Sequence, residues 1–371
     1  THYKEEFIAA SMSTSLTNTD KLREYVEELK RLNVKVVRPD LNSCVADFKA
    51  ETNKIFYGLG AIKSVGFEAI SNIVKEKEKN GDFNSIEDFI NRVNPKDINK
   101  LQLEGLVKAG AFDKLEVNRK KLFSSIPKII LSIKNQHEDK ISNQSSLFDS
   151  LPDSQIQTFE FESDDSWTKK ELLIEEFSSL GFYISDHPLN EYKEIFLQLK
   201  IKTYKEFMSD VSSESLVAGT IMSIQEKKSS KGTPFAIIKF SDTSSEFELF
   251  VFSDLLTSNR EILKESNSFV MTLHKDKVFS ENAQRRVNIR KILDLNQIIN
   301  KPYEKVSIEL TEDFDMQELK EALKEEGETE IKIIIKEKNK SLAFKLEKPR
   351  KFDLSIFKNV KNKQYVKKIS F

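Results

Sequence analysis

The apolar period of this chain changes once, and that change sets what it can fold into. Up to about residue 199, apolar residues recur every three or four positions, as in Leu22, Val26, Leu29 and Leu32, and again in Leu172, Leu173, Phe177 and Leu180. From residue 216 to 296 they alternate instead, as in Leu216-Val-Ala-Gly-Thr-Ile-Met-Ser-Ile224, Phe235-Ala-Ile-Ile-Lys-Phe240 and Phe247-Glu-Leu-Phe-Val-Phe252. The chain therefore reads as multidomain α+β, helical first and β-rich afterwards. Its 371 residues allow two or three domains with real cores.

Within the helical part, Gly58-Leu-Gly-Ala-Ile-Lys-Ser-Val-Gly-Phe-Glu-Ala-Ile70 predicts an apolar helix end (Leu59, Ile62) and a tight Ser64-Val65-Gly66 turn. A new helix follows, with Ala69, Ile70, Ile73 and Val74 on one face. That is the shape of a helix-hairpin-helix. Gly66 lets the backbone turn and approach a ligand. The amides of Val65, Gly66 and Phe67 are expected as unpaired donors of the new helix, suited to a phosphate oxygen, with the charge of Lys63 nearby. Such a site reads nucleic-acid backbone rather than base sequence. The plain alternative is an αα-corner with a glycine in its turn. A second corner, Gly110-Ala-Phe-Asp113, ends the Asn99–Ala109 helix, and two corners in tandem favour the backbone-binding reading. Lys114, Arg119, Lys120 and Lys121 form either a local basic patch or a solvated helix face. With a net charge of −1, any nucleic-acid surface must be local.

The remaining elements follow by pattern. Residues 3 to 38 read as helical, with Thr19 or Asp20 as a cap and a short strand at Val34–Val37. Phe48 to Tyr57 suits a hairpin; Phe83–Val93 and Val117–Asn135 suit helices, the latter restarting at Pro127 with Ser125 as its cap. Residues 136 to 165 are polar and aperiodic, a loop that holds Gln144-Ser-Ser-Leu-Phe148. Its Leu147–Phe148 pair, with Gln144 fixing orientation, suits a partner's pocket or else folds back onto the helices. His187 before Pro188 reads as a structural turn residue rather than a base. Further strands at Ser268–His274 and Arg286–Leu293, with a helix near Leu255–Leu263, complete a small five-stranded Greek-key barrel of oligonucleotide-binding type. Lys227, Lys228 and Lys231 with Phe235 and Phe247 would track a single strand by charge and stacking, unless the aromatics are barrel core. The tail from Tyr303 reads strand, helix (Met316–Lys324), strand (Ile331–Lys336), strand (Ser341–Leu346) and a basic end. From Lys345 onward nine Lys or Arg face two acids, a net of +7, fit for nucleic acid, an acidic partner or simple solubility.

Several functions are argued against. The single cysteine, Cys44, excludes an internal disulfide and suits a reducing cytosol, so a cytoplasmic location is expected. His2, His137, His187 and His274 are scattered, so no metal site is expected. No apolar run reaches membrane-spanning length, and no signal peptide is visible. Asp313-Phe-Asp315 has two-metal spacing, but Asp315 with Glu318 reads better as an N-cap and its capping box. There is no Lys-x-Asp-Gly, phosphate loop or paired nucleophile and base, so the stretch reads as non-catalytic and cofactor-free. Thr1 opens inside a helical pattern, which suggests a fragment of a longer protein.

Five signatures stand in order: Arg38-Pro-Asp-Leu-Asn-Ser43, Gly58 to Gly66, Leu103-Glu-Gly-Leu-Val-Lys-Ala-Gly-Ala-Phe-Asp113, Gln144 to Phe148, and Leu180-Gly-Phe-Tyr-Ile-Ser-Asp-His-Pro-Leu189. With the barrel pattern behind them, the chain resembles the C-terminal part of the bacterial replicative C-family DNA polymerases, the DNA polymerase III alpha subunits. The match weakens after about Tyr303. The resemblance implies the end of a fingers domain at 1–40 and a tandem helix-hairpin-helix domain at 41–150 that binds duplex DNA and the sliding clamp. It implies a linker with helices at 151–205, an oligonucleotide-binding barrel near the single-stranded template at 206–300, and a small α/β domain meeting the clamp-loader tau subunit at 301–371. It further implies that Gln144, Leu147 and Phe148 dock into the clamp, and that Lys63, Ser64, Val65, Gly66 and Phe67 lie against duplex phosphates. Ser64 stands where that family usually has glycine. The nucleotidyl-transfer site, with its two magnesium ions, would lie upstream of Thr1. A DNA repair or ligase fragment and a non-enzymatic clamp or DNA adaptor are the rival readings; the missing adenylation lysine motif argues against a ligase.

Overall fold

The computed structural model describes residues 3–142, 159–276, 286–299, 303–336 and 341–371. The chain divides into two compact units, Thr1–His187 and Pro188–Phe371.

The first unit opens with α1 (Lys4–Ser13) and α2 (Thr19–Arg31). The cap of α2 is Asn18, which accepts the Lys21 amide; Asp20 pairs with Arg23 instead of capping. β1 (Lys35–Val37), β2 (Lys49–Glu51) and β3 (Lys54–Phe56) form a small sheet in the order β1-β3-β2, with β1 parallel and β2 antiparallel to β3. A single 3-10 turn at Leu59–Ala61 follows, then α3 (Phe67–Asn80), α4 (Ile86–Arg92), α5 (Lys100–Lys108), α6 (Arg119–Ser124), α7 (Ile126–Ser142) and α8 (Lys169–Leu180). The buried faces are those the period predicts: Ile70 and Ile73 on α3, Phe89 and Ile90 on α4, Leu103 and Leu106 on α5. Phe89 meets Phe83 and Phe112 edge-on, with centroids 5.3 and 5.0 Å away. α7 continues past Asn135 to Ser142, so the polar stretch begins later than its composition suggests. Ser125 is wholly buried; its hydroxyl donates to the Lys121 carbonyl and accepts the Glu162 amide, tying the returning segment to α6 and α7.

The second unit begins with α9 (Lys193–Gln198) and α10 (Tyr204–Ser209). β4 (Glu214–Lys228), β5 (Pro234–Ser241), β6 (Glu246–Phe252), β7 (Ser268–Lys275) and β8 (Val287–Asp294) form a five-stranded antiparallel sheet in the order β6-β5-β4-β7-β8. β4 pairs with β7 through its first half and with β5 through its second, bending at an irregularity between Ile221 and Ser223. The sheet is open rather than the closed barrel the pattern suggests. Its edge strands β6 and β8 come near each other without a ladder, and α11 (Ser253–Asn259) packs against β5, β6 and β8. α12 (Leu295–Ile299) leads to β9 (Lys305–Leu310), α13 (Met316–Ala322), β10 (Glu326–Lys336), β11 (Ser341–Lys345), α14 (Leu354–Lys361) and β12 (Val366–Ser370). These strands order as β11-β10-β9-β12, with β9 and β10 parallel. The last helix and strand lie where only a basic end was legible. Their buried Phe357, Val360 and Ile369 are sparse among lysines, yet they join a cluster with Val306, Ile308 and Leu310. Phe371 stacks on Tyr303 at 4.0 Å. Asp315 does cap α13, accepting the Gln317 and Glu318 amides, whereas the Glu318 side chain binds Lys363 rather than closing a capping box.

Candidate nucleic-acid interface

The turn before α3 is built from both sides. The segment ahead of it is one 3-10 turn, not the helix end expected, pinned by the Leu59 and Gly60 amides on the Val45 and Ala46 carbonyls at 2.9 Å. Ser64 and Gly66 both take left-handed backbone, with φ of 66° and 78°, and between them Val65 turns into the core. Glycine adopts this conformation freely, whereas serine does so at a cost, so packing must hold Ser64 there. α5 supplies that packing. A Cβ on Gly105 would stand 2.7 Å from the Lys63 carbonyl, and Gln102 donates to the Val65 carbonyl at 2.8 Å. On the other side, the Lys63 amide donates to the Ser179 carbonyl near the end of α8 at 3.0 Å. The Lys63 side chain, Ser64, Gly66 and Phe67 face solvent.

The amides divide differently from the expectation. That of Val65 is taken by the Ile62 carbonyl at 3.2 Å, a turn hydrogen bond. Those of Gly66 and Phe67 have no acceptor among the described residues, and Gly66 as N-cap offers no side chain. By contrast, α2, α4, α5, α6 and α8 are capped by Asn18, Ser85, Asn99, Asn118 and Thr168. Glu68 in the first turn of α3 offsets part of the positive helix end. The two corners are thus unequal. At the second, the Gly110 and Ala111 amides return to the Val107 and Leu106 carbonyls, and Asn118 caps α6. The nearby cations are committed internally. Arg119 grips Asp113 through two 2.7 Å bonds and the Lys108 carbonyl at 3.0 Å. Lys114 binds Asp40 and Ser43, and Lys121 binds Asp164. Lys120 lies over the Trp167 ring.

In the second unit, Lys227, Lys228 and Lys231 stand exposed on the arm joining β4 to β5. Phe235 is partly exposed opposite Lys227. Phe247 is core, 6% exposed and stacked on Tyr204 at 4.1 Å, so it offers no face to a base. Its strand mates Phe250 and Phe252 are the exposed rings, at 45% and 58%. The ring of Phe250 lies 6.3 Å from that of Phe235 and 6.5 Å from that of Phe252, centroid to centroid. The alternation Phe247-Glu-Leu-Phe-Val-Phe252 carried that signal, because residues of opposite parity must point oppositely. Gln144, Leu147 and Phe148 lie outside the described residues.

His187 is half-buried against Tyr183, and desolvation, aided by Lys30, pushes its pKa down to about 4. A histidine depressed in the folded state favours unfolding below its free value, so stability is full above about pH 6.5 and declines toward pH 4. Denaturation at pH 7.5 and pH 5 is expected to show a loss on the order of 1–2 kcal/mol that His187→Phe removes. Cys44 is buried, and burial lifts its thiol to about 11, which leaves it unreactive. Among the described residues no cluster of His, Cys, Asp and Glu is placed to hold a metal, and no helix is long and apolar enough to cross a membrane.

An uncapped helix start behind a left-handed turn, held by a second helix, defines the helix-hairpin-helix class, and a sequence model of that motif matches residues 33–122. The relatives are more particular. DNA polymerase III subunit alpha of Borreliella burgdorferi is 34% identical over 301 residues, covering 78% of this chain and 26% of the relative. The same subunit of Caulobacter vibrioides is 33% identical over 262 residues, 70% of this chain and 23% of the relative. That of Helicobacter pylori is 31% identical over 316 residues, 80% and 25% respectively. The chain thus spans about a quarter of the length of the curated relatives it matches, and it resembles the C-terminal region of DNA polymerase III subunit alpha.

Proposed function

We propose that this chain is the DNA-holding part of a bacterial replicative DNA polymerase, acting in DNA replication in the cytoplasm. One observation carries the reading: the free Gly66 and Phe67 amides, with Lys63 beside them, in a chain similar to DNA polymerase III subunit alpha. They would take a duplex phosphate oxygen, and a contact that reads only backbone can slide. Val65 supports the turn from within, and Ser64 shapes it. Nucleotidyl transfer with magnesium belongs to the parent enzyme, outside these residues. Gln144, Leu147 and Phe148 would tether the chain to the sliding clamp, raising the local concentration of DNA without new DNA contacts. The β4–β5 arm, with Lys227, Lys228 and Lys231, and the row Phe235, Phe250 and Phe252 would guide single-stranded template by charge and stacking. The tail would meet the clamp-loader tau subunit.

The test separates duplex from single strand. Proline is compatible with the first position of a helix, so Phe67→Pro deletes one amide donor while keeping α3. Phe67→Ala keeps the donor and removes the ring. Titrating a labelled primer-template duplex should show affinity about 5-fold lower in Phe67→Pro and near wild type in Phe67→Ala. Phe250→Ala/Phe252→Ala should weaken oligo-dT binding and leave duplex binding unchanged. Equal duplex affinity in all three variants and wild type would remove the helix-start contact from the proposal.

A further inference from the structure

One edge of the four-stranded sheet, strand β11, is left unpaired among the described residues. All five residues of β11, Ser341–Lys345, are exposed, Leu342 at 54% and Phe344 at 38%. The hydrogen-bond phase of this strand follows from its neighbours. The Leu346 amide donates to the Ile331 carbonyl at 2.9 Å, so Leu346 faces β10. On β10 itself, the Glu330 amide donates to the Glu304 carbonyl, so Glu330 faces β9 and Ile331 faces β11. Alternation along the register Ile333↔Phe344 and Ile335↔Leu342 then turns Phe344 and Leu342 toward β10. The N–H and C=O groups of Ser341, Ala343 and Lys345 point away from the sheet, to an edge that no other strand among the described residues covers.

We propose that this edge pairs with the same edge of a second copy of the chain, antiparallel and centred on Ala343. The register is self-complementary in each respect that sheet pairing requires. Ala343 meets its own counterpart as a hydrogen-bonded pair, and Ser341 and Lys345 meet each other's counterparts in the same way. The three outward-facing residues are thus all satisfied in one phase. Leu342 falls opposite Phe344 of the other copy in the closer, non-hydrogen-bonded pairs, where apolar side chains gain most. Those side chains sit on the face that Ile333 continues into the core. No like charges stand opposite one another, because Lys345 faces Ser341 and is balanced by Glu330 at 2.7 Å. An exposed, apolar, unblocked edge is the surface on which sheets add strands. Five residues make a small contact, so the dimer is weak, with a dissociation constant on the order of 100 µM.

Sedimentation equilibrium of the 371-residue chain across a wide concentration range reads this directly. The weight-average mass should rise toward twice the monomer at high concentration. Ala343→Lys and Ala343→Glu should each stay monomeric, since each sets like charges face to face at the two-fold, while their equimolar mixture should associate again. Both changes are on an exposed strand and should leave the melting temperature within about 2 °C. A wild-type chain that stays monomeric throughout, as it would if this edge serves an extended peptide of another protein, overturns the proposal. So does association that persists in both variants alone, or a mixture that fails to recover it.

Discussion

Replacing Arg119 by methionine is expected to lower the stability of the first unit by about 2 kcal/mol without weakening the hold of the folded chain on duplex DNA. Arg119 is 8% exposed, and it satisfies both oxygens of Asp113 and the Lys108 carbonyl. Methionine fills much of its volume but removes three donated bonds; water can reach the part-exposed Asp113 carboxylate, so the loss falls mainly on the Lys108 carbonyl and on the bidentate pair itself. Trp167 is the chain's one tryptophan and lies in the first unit, its ring tilted against that of Phe123 of α6 at 5.4 Å. Urea denaturation followed by its fluorescence reads that unit alone. If Arg119→Met instead left the midpoint unchanged and weakened duplex binding, the second corner would be a DNA contact and the division between the corners would be wrong.

Gly105→Ala tests the coupling between packing and site. The new Cβ would stand 2.7 Å from the Lys63 carbonyl and 3.3 Å from a Val65 methyl, and both belong to the turn that presents the free amides. Overpacking of this kind costs about 1–3 kcal/mol, and the helix propensity gained by alanine returns at most about 1. α5 must therefore back away, and with it goes the bond from Gln102 that holds the Val65 carbonyl. Duplex affinity should fall by more than 10-fold, beyond what the lost stability explains, because α5 is one of the two sides that hold Ser64 in its left-handed backbone. Trp167 fluorescence and labelled-duplex anisotropy on one preparation separate the two effects. A variant that melts lower yet binds duplex normally would show that α5 does not shape the turn.

Much was legible from residues alone. Apolar period marked α4, α5, α8 and the five strands of the second unit, because a half-buried helix or strand must repeat its apolar residues with its own geometry. The turn at Ser64–Gly66 was visible because only a few residues tolerate such backbone. α14 and β12 were not, since a short element in a lysine-rich segment needs only two or three buried side chains, and Phe357, Val360 and Ile369 do not make a period. The open sheet was equally hidden: whether strands at the two edges join depends on bend and on what packs across them, and α11 supplies the latter.

At the site itself, the sequence by itself determined the chemistry on offer: a glycine turn, a helix start without a capping side chain, a lysine beside it, and aromatics alternating along a strand. Tertiary structure decided which of these remain available. It spent the Val65 amide and the second corner's cations inside the fold, buried Phe247, and left Gly66, Phe67, Phe250 and Phe252 at the surface. The reason is physical. A donor, cation or ring has the same identity wherever it lies, but whether it already has a partner depends on residues far away in the chain, such as Asp113 for Arg119, Gln102 and Gly105 for the turn, and Tyr204 for Phe247.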